Sequence, residues 1–131
     1  MSVRSVRLGT ARVESEGLRI GTVRRPPRRV PKIEFASQDW YDVWLPNLAP
    51  AVETMKLGQE ATTAAQWAVF SKRYRCEMGT PDNAHILHLL AAMSQQTSFS
   101  VGCYCDNEAR CHRSILKLLL AEQGARLAPG E

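Results

Sequence analysis

Long apolar runs are missing from this chain. Nothing approaches the roughly 20 consecutive apolar residues that a bilayer-spanning helix needs. Residues 1–10 alternate small, apolar and Arg residues and hold no apolar core of the signal-peptide kind. The cytoplasm is therefore the expected compartment, and no membrane partner is expected. Cysteine is sparse, four in 131 residues, and three of the four fall within nine positions. That is not the spread of a secreted disulfide scaffold. Internal repeats and low-complexity tracts are also absent. A chain of this length, 44% hydrophobic, can bury one core but hardly two. A single domain over 1–131 is expected, with 1–2 and 128–131 as flexible ends.

Acidic residues are few at the front of the chain. Residues 1–32 hold nine Lys or Arg against two Glu, a balance of +7, so the other 99 residues sum to −3 within the net +4. Most of the excess lies in Arg24-Arg25-Pro26-Pro27-Arg28-Arg29-Val30-Pro31-Lys32, followed by Trp40, Tyr41 and Trp44. Basic runs with aromatic neighbours can contact nucleic-acid phosphates. The commoner reading of the same run is a solvated loop that its prolines hold extended. Arg24 or Arg25 can also border an anionic pocket, because Leu18 to Arg24 reads as a strand ending there.

What is present is a β-β-α-α-β-α order. Val3–Val13 reads as a strand broken at Gly9, and Leu18–Val23 as a second after the turn signal Glu16-Gly17. Asp39–Pro50, aromatic and Pro-bounded, reads as short turns. Ala49–Leu57 predicts a short helix with Pro50 near its start. Over Thr62–Met78 the spacing of Ala65, Val69, Phe70, Tyr74 and Met78 predicts a helix that Gly79 stops. Thr80-Pro81-Asp82 starts another, with Ile86, Leu89, Leu90 and Met93 as its apolar stripe. Phe99–Cys105 is nearly uncharged and reads as a buried strand. Glu108–Gln123 reads as a helix ended by Gly124, with Ile115–Ala121 supplying its buried face. The fold class is α/β: a small, largely parallel sheet with helices packed on it.

Three segments resemble one family. Tyr41-Asp42-Val43-Trp44-Leu45-Pro46-Asn47-Leu48-Ala49-Pro50 is similar to its D-x-W-L-x-x-L-A-P segment. Trp67 to Tyr74 is similar to its W-x-x-F-x-x-R-Y helix, and Cys103 to Arg113 to its strand-loop-helix ending in Cys-His-Arg. The chain is identified on these motifs as a member of the domain-of-unknown-function family 488 (DUF488), which includes the YeaO-like proteins. The resemblance implies an α/β fold and a bacterial or archaeal cytosolic protein, and it implies no reaction. Two positions depart from the family pattern. Ala51 stands where many relatives carry Ser, and Cys105 where an acidic or small residue is expected.

The stretch Cys103–Ser114 concentrates the chemistry: three thiols, one imidazole and two guanidiniums in twelve residues. A strand feeding a helix through a polar loop sets these groups beside first-turn amides and the positive end of a helix dipole. Four readings stay open. The first is an anion site for phosphate, carboxylate or a nucleotide. Arg113 leads it, joined by Arg110, Ser114, Arg24 or Arg25 at the neighbouring strand end, and Asp42 and Trp44 as pocket residues. The second is thiol catalysis by Cys105 or Cys111 with His112 as base. The Cys105-x4-Arg110 spacing is similar to rhodanese-type and phosphatase loops, but Gly and Ser are lacking and Asp106 and Glu108 would repel an oxyanion.

The third reading is zinc at Cys103, Cys105, Cys111 and His112. It is disfavoured here because adjacent residues 111 and 112 diverge by about 100° on a helix. No metal or other cofactor is therefore expected, and His85 and His88 read as boundary residues beside an apolar stripe. The fourth is purely structural: the cluster packs the last helix onto the sheet. Cys111, if accessible, is expected to react faster than Cys76, which sits late in a helix.

Overall fold

The computed structural model describes residues 1–131 and contains one four-stranded sheet with helices on it. Its strands are β1 (Val3–Arg7), β2 (Leu18–Gly21), β3 (Val43–Trp44) and β4 (Phe99–Cys103). They lie in the order β1-β4-β2-β3, and every pairing is parallel. The helices are α1 (Val52–Glu60), α2 (Ala64–Met78), α3 (Pro81–Met93) and α4 (His112–Glu122). The α/β class read from the sequence is the fold observed.

Strand β4 is central because it is the one strand that water need not reach. All five of its residues are buried, and it pairs with β1 on one side and β2 on the other. Its alternate side chains Phe99 and Val101 join Val3 and Ile20 on the helical face, against Phe70, Tyr74, Leu90, Ile115, Leu116 and Leu120. The opposite face carries no α-helix and is closed by loop residues, with Leu8 over Gly102 and Tyr41 over Gly21, and both join Val23, Cys103 and Cys111 in a second small cluster. Gly21 and Gly102, paired in register, permit that close approach. A Cβ on either would lie 2.4 Å from a Tyr41 ring atom or Leu8 Cδ2.

Helix ends follow local chemistry. Thr63 accepts from Gln66 N while the Gln66 side chain returns to the Thr63 amide, a complete capping box. Helix α1 begins at Ala51, which offers no side-chain cap, and the Glu77 carboxylate takes over by accepting from Ala51 N at 2.8 Å and from the Thr54 hydroxyl.

Several expectations are corrected. The first strand ends at Arg7 rather than Val13, because the chain turns at Gly9. Val43–Trp44 is a strand, not a turn. Its neighbours Asp42 and Leu45 donate to the Arg19 and Gly21 carbonyls, so the edge of β2 imposes the conformation. The buried stripe of α3 is Leu87, Leu90 and Ala91, while Leu89 is 60% exposed. That helix is apolar nearly all round, so periodicity alone could not orient it. The last helix starts at His112, after a 3-10 turn at Glu108–Arg110. Residues 128–131 are not free: Ala128 is buried and donates to the Val3 carbonyl, and Glu131 accepts from Ser5 N and Lys117. No helix is long and apolar enough to cross a membrane.

Candidate functional site

At the carboxyl end of the sheet, where ligands of open α/β sheets collect, lies a cavity of about 880 Å³. The loop after β2 provides one wall, with Arg24, Arg25, Pro26, Pro27 and Arg28. Trp40 and Tyr104 flank it, α1 contributes Val52 and Met55, and Phe70 enters from α2. Cys103, Cys105, Arg110, Cys111 and His112 come from the strand-loop-helix. Four arginines line this space, and no Asp or Glu does.

Each arginine is placed differently. Arg24 is half-buried, with Nε donating to the Pro50 carbonyl at 2.9 Å, which ties the basic loop to the start of α1. Arg25 and Arg28 are exposed, and the Arg25 carbonyl accepts from the Tyr104 hydroxyl at 2.8 Å. Arg110 is exposed and stacks over the Trp67 ring at 5.4 Å.

The thiols form a compact group. Cys103 Sγ lies 3.7 Å from Cys105 Sγ, and Cys111 Sγ lies 3.7 Å from His112 Nδ1. Cys103, Cys111 and His112 are buried, whereas Cys105 is exposed. Hydrogen bonds from the Cys103 and Cys105 thiols hold the Cys111 thiol far below the usual thiol range, against its burial, and His112 adds to the pull. Cys103 moves the other way, because its proton is shared with Cys105 and Cys111 and burial then disfavours its charge.

Convergence of residues 111 and 112 corrects the expectation that they diverge. Cys111 is extended, with φ −125° and ψ 151°, and caps α4 rather than belonging to it. The helical 100° step therefore does not apply between them. His112 Nε2 faces the Thr22 carbonyl at 2.9 Å and the Thr22 hydroxyl at 3.1 Å. A carbonyl only accepts, so Nε2 carries the hydrogen and, in the neutral ring, the Nδ1 lone pair is turned toward Cys111.

Other sequence-selected residues do not line the cavity. Arg113 is 3% exposed and does not line it. Its Nη2 donates to the Cys105 carbonyl at 2.8 Å and its Nε to Cys111 Sγ at 3.4 Å, so it organises the loop from behind. Ser114 spends its hydroxyl on the Cys111 carbonyl at 2.9 Å. Asp42 accepts twice from Arg12 and once from Arg19 N at the amino end of the sheet, opposite the cavity. Trp44 donates to the Val23 carbonyl at 2.6 Å and is not in the wall. His85 and His88 are exposed on α3 and join no third metal-type donor.

A family model described as DUF488-N3a, the active DUF488-N3 subclade, matches residues 3–124. The chain belongs to the DUF488 family. No curated protein and no solved structure matches it significantly. In this DUF488 chain the three family-like segments meet at one place. The Tyr74 hydroxyl donates to the Leu48 carbonyl at 2.7 Å, and its ring packs edge-on against His112 at 5.5 Å. Trp67 stacks on Phe70, which is parallel to Tyr74, and Arg110 covers Trp67. Of these motifs Pro50, Phe70 and the Cys103–His112 loop reach the cavity, while Leu48, Trp67 and Tyr74 pack behind it.

Sequence reasoning about the DUF488 chain missed Thr22, Arg28, Trp40 and Met55 as neighbours of this site. Arg28 carried a signal, its place in the basic Arg24–Lys32 run. Thr22 and Met55 carried none, because only the packing of β2 and α1 brings them there.

Proposed function

We propose that the cavity binds an organic anion, a phosphorylated or carboxylated molecule such as a nucleotide. One observation carries this reading: four arginines and no carboxylate line a space of about 880 Å³. That volume falls within the roughly 300–1,000 Å³ of small-molecule sites. Arg25, Arg28 and Arg110 reach solvent and can fork onto phosphate or carboxylate oxygens. Trp40, Met55, Phe70 and Tyr104 offer apolar and aromatic surface to the rest of such a molecule. A thiol-dependent enzyme acting on the same anion is the second reading, favoured because Cys105 is exposed in the wall that also holds Arg110.

Thermal unfolding with inorganic phosphate, pyrophosphate or a nucleoside diphosphate tests the binding. A ligand at about fourfold its Kd stabilises the native state by about 1 kcal/mol, a rise of about 4 °C. The Arg28→Ala, Arg110→Ala double variant is expected to lose that rise and Asp42→Asn to keep it. No rise with any of the three anions, or an equal rise in the double variant, rejects the pocket. A nucleic-acid accessory protein would instead lose affinity for oligonucleotides steeply with salt, in proportion to its phosphate contacts.

A further inference from the structure

Two thiols and an imidazole meet on the cavity floor, with a third thiol beside them. Cys103 Sγ, Cys111 Sγ and a His112 ring nitrogen all lie within 4.8 Å of one another, and all three residues are buried. Cys105 Sγ is 3.7 Å from Cys103 Sγ, and Cys111 Sγ is 3.7 Å from His112 Nδ1. Ligands on a tetrahedral zinc, with Zn–S of about 2.3 Å and Zn–N of about 2.0 Å, stand roughly 3.5–3.8 Å apart. Two of the donor pairs therefore stand at ligand spacing already.

The surrounding shell is also that of a ligand set. A metal-binding imidazole is normally oriented by donating its other ring N–H to a carbonyl or carboxylate. His112 does so through Nε2 to the Thr22 carbonyl at 2.9 Å, and this turns Nδ1 toward the thiols. Arg113 donates from Nε to Cys111 Sγ, a hydrogen bond that stabilises a coordinating thiolate. No carboxylate lines the space, so a hard cation such as magnesium or calcium finds no charged oxygen, whereas sulfur and imidazole suit zinc.

We propose that Cys103, Cys111 and His112 hold a zinc ion on the floor of the cavity, with Cys105 as the exchangeable fourth ligand. Two observations separate the roles. The first three residues are buried, while Cys105 is exposed and its backbone carbonyl, not its sulfur, is held by Arg113. Release of Cys105 would open one position toward the arginine-lined space, the arrangement of sites that bind a ligand on the metal. The proposal does not depend on the anion reading, since the donors stand without it.

Cobalt substitution tests it directly. The full chain, stripped by chelator and kept anaerobic with a phosphine reductant, is titrated with Co²⁺ and then Zn²⁺. One Co²⁺ per chain is expected, with thiolate-to-cobalt charge-transfer absorption and tetrahedral ligand-field bands that one equivalent of Zn²⁺ bleaches. Cys103→Ser and Cys111→Ser should each lose the charge-transfer intensity. Cys105→Ser should keep the metal with shifted bands, and Cys76→Ser should match the parent. Absence of charge-transfer absorption in the unmutated chain overturns the site whether or not any variant folds. Bands that persist in both Cys103→Ser and Cys111→Ser also overturn it. Phosphate-dependent thermal shifts measured on the metal-free chain keep the two readings apart: a shift without metal binding removes the zinc site alone.

Discussion

Arg113 holds Cys111 from inside the protein: its Nε donates to Cys111 Sγ at 3.4 Å while Nη2 donates to the Cys105 carbonyl at 2.8 Å. One guanidinium thus fixes both ends of the thiol loop, and its role is positional. Arg113→Ala is expected to destabilise the fold by about 2–3 kcal/mol, the cost of losing charge-assisted bonds at a buried site. Arg113→Lys should recover less than half, because an ammonium cannot span both acceptors in the planar fork. Urea unfolding of the three proteins measures this, and an unchanged midpoint in Arg113→Ala would show that the loop does not need it.

Acid should unfold the protein through the other end of the sheet. Burial alone would raise the Glu16 carboxyl, but hydrogen bonds from Arg19 and Ser100 hold it below its ordinary value of 4.5. A lowered folded-state pKa means that the unfolded chain binds the proton more tightly. The stability is therefore complete above the unfolded value and is lost as pH falls through the folded one. Glu16→Gln should cost about 3 kcal/mol at neutral pH, because Arg19 is left buried and uncompensated, and should flatten the acid limb. Urea midpoints across pH decide it; parallel acid limbs would contradict the assignment.

Thiol labelling of the native, metal-free protein should follow exposure. Cys76 and Cys105 are exposed, Cys103 and Cys111 buried. Mass-resolved alkylation should modify the first pair before the second, since burial of Cys111 removes the accessibility on which its expected lead over Cys76 was conditional. Fast modification of Cys111 would mean that the loop opens on the labelling timescale.

Gly17 turns the chain into β2 with φ +78°, and a Cβ there would stand 2.0 Å from the Ser98 carbonyl oxygen. Neither the dihedral nor the backbone contact can relax cheaply. Gly17→Ala is expected to cost about 3 kcal/mol, against a smaller loss for Gly130→Ala, which shares the positive φ, at +90°, but whose Cβ would meet nothing within 4 Å. Similar thermal midpoints for the two variants would refute this.

Much of the architecture was legible because its signals are local. The α2 helix and its Gly79 stop, the Thr80-Pro81 start of α3 and the buried run of β4 all follow from side chains within one turn or one strand. The strand-loop-helix that holds the candidate site was legible for the same reason, since Cys103–Arg113 joins β4 to α4. Val43–Trp44 was not, because its pairing is imposed by β2 across more than twenty residues of chain. Asp42 was misplaced likewise: its partners Arg12 and Arg19 belong to the other end of the sheet.

Residue type and order suffice for the α/β class, the charge bias of residues 1–32 and the gathering of thiols between β4 and α4. Composition and short-range spacing are enough for each of these. The tertiary structure alone decided that Arg113 faces inward, that Arg24, Arg25, Arg28 and Arg110 share one cavity, and that Cys111 and His112 converge. The physical reason is that direction depends on where a helix starts and on what packs behind it. The first turn of α4 begins one residue after Cys111, and Thr22, ninety residues earlier, fixes the ring of His112.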